Sequence, residues 1–107
     1  MNQVLVAFGA NLGQPVHTFH SALDLLVAQE VLRAVLCSPI FSTPPVGGPT
    51  DQPEYANAVV AARTSCGPRE LMVRLLEVEK IFGRDRDREI RWGPRRLDLD
   101  LIAFGNV

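Results

Sequence analysis

Cysteine is scarce in this 107-residue chain: Cys37 and Cys66 are its only two, too few for a disulfide framework or a four-ligand thiolate metal site. Both sit among apolar or small residues and read as reduced, half-buried hydrophobes. His17 and His20 lie three apart, but such a pair lacks the third and fourth ligands of a zinc site, so they read as surface residues. No charged, apolar and cleavage-site sequence opens the chain, and no apolar run reaches membrane-spanning length. The expectation is a soluble, cytoplasmic protein. Repeats, low-complexity tracts and linkers are also absent, so residues 1–107 read as one domain. The net charge of −1 gives no global pull toward nucleic acid or membrane.

Lysine is the most telling shortage. Lys80 stands alone against ten arginines, six of which fall between Arg84 and Arg96. With Asp85, Asp87 and Glu89 among them, that stretch carries +3 and the remainder of the chain −4. A solvated loop explains this as well as an anion site does. The rest of the composition, 47% apolar and 21% charged, is that of an ordinary globular domain with one modest core.

The apolar run Gln3–Gly9 predicts a buried strand. Gly9-Ala10-Asn11-Leu12-Gly13 lacks the lysine and spacing of a phosphate-binding P-loop and reads as a tight strand-to-helix turn. A helix opening at Pro15 has Phe19, Ala22, Leu23, Leu26 and Val27 on its apolar face. Residues 33–43 predict a second strand, stopped by Thr43-Pro44-Pro45, and a Gly/Pro-rich loop runs over Val46–Glu54. Tyr55–Arg63 predicts a third strand. A second helix opens at Pro68, buries Leu71, Leu75, Val78 and Phe82, and ends at Gly83. Leu97–Phe104 predicts the fourth strand. The order β-α-β-β-α-β is that of an α+β, ferredoxin-like sandwich, an antiparallel sheet with its helices on one face.

Asp98 and Asp100 are the sharpest chemical feature. Alternate strand residues share a face, so both carboxylates project to one side with Cα atoms about 7 Å apart. Leu97, Leu99 and Leu101 then face the core. Two such carboxylates repel unless a cation lies between them, and Mg²⁺ prefers one or two carboxylates with phosphate and water oxygens completing its shell. An edge strand with two aspartates on its solvent face is the plain alternative. Arg95 and Arg96 precede the pair, and guanidinium groups beside bound metal would complement a polyphosphate. Trp92 supplies a flat ring for stacking or for packing. Thr43, Pro44, Pro45, Val46, Tyr55 and Asn57 read either as one wall of a pocket or as a rigid turn with a core aromatic.

Together these pieces resemble the 6-hydroxymethyl-7,8-dihydropterin pyrophosphokinase family. The resemblance is carried by Phe8–Gly13, Phe41–Gly47, Asp51–Ala58, Glu79 with Gly83-Arg84, the run Arg91-Trp92-Gly93-Pro94-Arg95-Arg96-Leu97-Asp98-Leu99-Asp100, and Phe104–Asn106. It implies transfer of pyrophosphate from ATP to the pterin hydroxymethyl group in folate biosynthesis, releasing AMP. Asp98 and Asp100 would hold two Mg²⁺ ions. Thr43, Pro44, Pro45, Val46, Tyr55, Asn57 and Trp92 would bind the pterin. Glu79, Arg84, Arg86, Trp92 and Arg95 would serve the nucleotide, with Arg84 and Arg95 also catalytic. The resemblance implies no nucleic-acid or membrane partner, and either a monomer or a homodimer. Family members continue past the FGN segment with further ATP contacts, so weak nucleotide binding is the expectation for these 107 residues. A non-catalytic pterin- or nucleotide-binding relative is the main alternative, and a small nucleic-acid module the more distant one.

Overall fold

A computed structural model describes residues 1–11, 13–44, 53–83 and 97–105. Five strands and two helices follow in the order β1 (Asn2–Ala10), α1 (Pro15–Ala28), β2 (Arg33–Cys37), β3 (Phe41–Thr43), β4 (Tyr55–Thr64), α2 (Pro68–Ile81) and β5 (Asp98–Phe104). The sheet order is β2-β4-β1-β5, with β3 also paired to β4, and the pairings are antiparallel. The α+β sandwich expected from the sequence is therefore present, with one correction. The second strand is two short strands on the same edge of β4.

The break has a local cause. Pro39 has no N–H to donate, and Ser38 takes over part of the ladder at this point. The Ser38 N–H donates to the Val59 carbonyl (2.8 Å), and its Oγ accepts the Val59 N–H (2.8 Å). Between Arg33 and Leu36 the register shifts, and Ala34 sits in the left-handed region at φ 52.

Alternation along β1 sends Val4, Val6, Phe8 and Ala10 inward, and β4 matches them with Ala58, Val60 and Ala62. Leu97 and Leu99 complete this apolar surface. Phe19, Ala22, Leu23 and Leu26 of α1 pack into the same cluster as Leu71, Leu75 and Val78 of α2. Both helices thus cover one sheet face. Phe8 and Phe19 meet edge to face with ring centroids 4.9 Å apart, a favoured aromatic geometry.

Two inward expectations are overturned. Val27 is exposed because the chain reverses just beyond it and places Val31 and Leu32 in the core instead. The Val31 N–H bonds the Leu26 carbonyl (2.9 Å) and the Glu30 N–H bonds that of Val27 (3.0 Å), a Schellman cap with Glu30 left-handed at φ 59. Cys37 is exposed on the edge strand, while Cys66 is partly buried. Gly83 does cap α2, at φ 88. No helix among the described residues is long and apolar enough to cross a membrane.

Candidate active site

Among the described residues no helix covers the second sheet face, and the registers bring the chemistry-bearing residues together there. Phe41 pairs with Asn57, Asn57 with Gly9, and Gly9 with Asp98. Directly paired residues point to the same side, so this row crosses four strands on one surface. Ala7 pairs with both Val59 and Asp100 one step along, and Thr43 pairs with Tyr55 on the other side of the row. Leu99 lies between the two aspartates but opposite Phe8, facing the helices. Asp98 and Asp100 therefore share the open face, as strand alternation requires. Asp98 is half-buried and Asp100 exposed.

Asn57 is held by its amide nitrogen. Nδ2 donates to Thr43 Oγ1 (2.7 Å) and to the Tyr55 carbonyl (3.3 Å). Its Oδ1 consequently lies over Gly9, where a Cβ on that glycine would stand 3.4 Å away. Asn57 and Asp98 are two strand spacings apart, about 10 Å. Among the described residues, the side-chain-free Gly9 lies between them, with the methyl of Ala7 next to it on the same face. The result is a shallow, flat trough with an amide at one end and two carboxylates at the other.

Asn11 fixes the trough's rim. It is buried, with its Nδ2 donating to the Pro53 carbonyl (3.0 Å), which ties the end of β1 to the approach to β4. A cavity bounded by Phe8, Pro15, Phe19 and Leu97 has only about 10 Å³ of space. That is room for no more than about one water.

Of the residues singled out from the sequence, Thr43, Pro44, Tyr55, Asn57, Asp98 and Asp100 are gathered around this face, with Pro44 just after β3. Pro45, Val46, Arg84, Arg86, Trp92 and Arg95 lie outside the described residues. Glu79 is 2% exposed, and its Oε2 accepts the Leu99 N–H at 2.8 Å. Gly9, Ala7 and Asn11 were missed as site residues. Their signal is the register of β1 against β4 and β5, since alternation places Ala7 and Gly9 outward but only pairing shows what flanks them.

The donor set suits a hard cation. Two carboxylates on one face supply oxygen ligands, and no cluster of three or more His, Cys, Asp or Glu occurs among the described residues. A site of two protein carboxylates needs phosphate and water oxygens to complete an octahedron, which is the habit of Mg²⁺.

The sequence model of the 7,8-dihydro-6-hydroxymethylpterin-pyrophosphokinase (HPPK) family matches residues 5–107. The 2-amino-4-hydroxy-6-hydroxymethyldihydropteridine pyrophosphokinase of Pseudomonas aeruginosa is 41% identical over 105 residues, 98% of this chain and 63% of that protein. The protein of the same name from Haemophilus influenzae is 40% identical over 101 residues, 94% of this chain and 61% of that one. The mitochondrial folate synthesis bifunctional protein of Pisum sativum is 37% identical over 103 residues, 96% of this chain but 19% of its own length. The chain spans about three-fifths of the length of the two bacterial relatives.

Proposed function

Because the chain belongs to the 7,8-dihydro-6-hydroxymethylpterin-pyrophosphokinase family, we propose that it works in folate biosynthesis in the cytoplasm, moving pyrophosphate from ATP to the hydroxymethyl oxygen of 6-hydroxymethyl-7,8-dihydropterin and releasing AMP. The observation that carries this reading is the placement of the Asn57 amide and the Asp98–Asp100 pair at opposite ends of one flat trough. A planar ring lying over Gly9 presents its N–H edge to Asn57 Oδ1 and its hydroxymethyl group toward the carboxylates. Thr43 and the Tyr55 carbonyl orient the amide so that an acceptor faces the ring. Thr43, Pro44 and Tyr55 stand beside this face, and the family resemblance adds Pro45, Val46 and Trp92 as residues that would bind the pterin.

Asp98 and Asp100 would hold Mg²⁺, two ions in this reading. When bound, these offset charge on the ATP phosphates and favour deprotonation of the hydroxymethyl group. The protein's own contribution is positioning and charge, since phosphoryl transfer needs no covalent intermediate on the enzyme. Arg84, Arg86 and Arg95 supply bidentate donors to phosphate oxygens, with Arg84 and Arg95 acting on the transferring group.

Calorimetric titration with 6-hydroxymethylpterin and a non-hydrolysable ATP analogue, with and without Mg²⁺, tests the assignment together with AMP release under turnover. Mg²⁺-dependent analogue binding and AMP release support it. Pterin binding without AMP release would reduce the chain to a binding module. Salt-dependent oligonucleotide binding with neither small molecule bound would overturn it.

A further inference from the structure

We propose that Glu79 is a positioning residue for the metal-binding pair: from behind the strand, it fixes the backbone that aims Asp98 and Asp100. The inference deepens the function proposed above and rests on it. Among the described residues β5 is the last strand of the sheet order and pairs with β1 alone. On an edge strand every second N–H turns away from the ladder and has no strand to receive it. The N–H of Leu99, the residue between the two aspartates, is received by Glu79 Oε2 at 2.8 Å.

The bond is remote in sequence and sheltered in space. It spans 20 residues and is buried, with Glu79 2% exposed and Leu99 4% exposed. Glu79 sits in the last turn of α2, whose own packing is anchored by Leu71, Leu75 and Val78. The carboxylate thus stands where a further strand would otherwise continue the sheet. It holds one peptide plane, and the side chains on either side of that plane are the two aspartates. Burying a carboxylate is costly unless it is hydrogen-bonded, and apolar residues of similar volume would have packed α2 against β5 without that cost. A polar residue here therefore serves the strand's position more than its burial.

Three variants of the full chain separate this role from mere stability. Glu79→Ala removes the acceptor, Glu79→Asp withdraws it by one methylene, and Glu79→Gln keeps a side-chain oxygen in reach of the Leu99 N–H. The measurements are the Mg²⁺ dependence of ATP-analogue binding by calorimetry and the exchange rate of the Leu99 amide by NMR. Loss of a group that orients a metal ligand typically weakens metal binding about 10–100-fold. Glu79→Asp, and Glu79→Ala where it folds, should raise the Mg²⁺ concentration needed for half-maximal binding by about that factor and speed Leu99 exchange. Glu79→Gln should stay within about threefold of the parent and keep the amide protected.

Parent-like Mg²⁺ dependence in Glu79→Asp, whatever its melting temperature, would overturn the inference. So would a Glu79→Gln variant as impaired as Glu79→Asp, because the charge and not the hydrogen bond would then matter. Failure of the parent chain to show any Mg²⁺-dependent binding would instead strike the functional reading on which this one stands.

Discussion

Replacing Gly9 by alanine should make the protein more stable and its site worse. Gly9 lies inside β1 and is not among the glycines with positive φ, so an L-residue meets no backbone strain there. Among the described residues a new Cβ would have one neighbour within 4 Å, Asn57 Oδ1 at 3.4 Å, an ordinary contact. Glycine in a strand interior costs roughly 0.5–1 kcal/mol relative to alanine, largely through the entropy of the unfolded chain. At about 4–8 °C per kcal/mol for a domain of this size, Gly9→Ala should raise the melting temperature by roughly 2–8 °C. The same methyl rises from the floor on which the pterin ring is proposed to lie. It crowds the Asn57 acceptor and lifts the ring, and a misplacement of about 1 Å can cost on the order of 100-fold in rate. Thermal melting, pterin calorimetry and the rate of AMP release on the same preparations read the gain in stability, the lifted ring and the lost rate. Pterin affinity within twofold of the parent would refute the placement of the ring over Gly9. A lower melting temperature would refute the open-floor geometry itself.

Glu30→Gly should also stabilise the fold, by about 0.5–1 kcal/mol. A left-handed L-residue costs roughly 1–2 kcal/mol, partly offset by glycine's greater chain entropy. The exposed pair with Arg33 (3.1 Å) adds little. A higher urea midpoint at unchanged slope confirms this, and a lower one refutes the cap geometry. Cys37 should react with a thiol reagent well before Cys66, because Cys37 is exposed and Cys66 is not. Burial first, and then the neighbouring Glu70, push the Cys66 thiol above its ordinary pKa. Its thiolate is therefore disfavoured in the fold. The associated stability is complete below the ordinary thiol pKa and is lost as pH rises through the raised folded value. Urea midpoints measured across that alkaline window should fall, and Cys66→Ala should remove that part of the slope.

What could be read from the sequence followed from local rules. Strict alternation placed Asp98 and Asp100 on one face, apolar spacing located both helices, and Gly83 announced the end of α2. Other features depended on partners far away in the chain. Glu79 lies eight residues after Leu71, on the apolar face of its helix, which marks it as a buried carboxylate. Its partner Leu99 becomes visible only once α2 is packed on β5. The break at Pro39 was obscured because β-branched and aromatic residues continue on both sides, while the Ser38 hydroxyl that bridges it is a tertiary contact. The cap at Glu30 uses a residue that lacks glycine's freedom, so no composition signal marked it. Gly9 looked like part of a turn because its role as a floor depends on the strands at either side.

The proposed function requires one sheet face to bind a magnesium–nucleotide through Asp98 and Asp100. The most direct test is calorimetric titration of an ATP analogue into the parent chain and the Asp98→Asn/Asp100→Asn variant, with Mg²⁺ and with chelator. The parent should show Mg²⁺-dependent binding, and the variant, melting at the parent's temperature, should lose about tenfold or more in affinity. One tenfold step corresponds to about 1.4 kcal/mol. Equal Mg²⁺-dependent binding by the two proteins would contradict it.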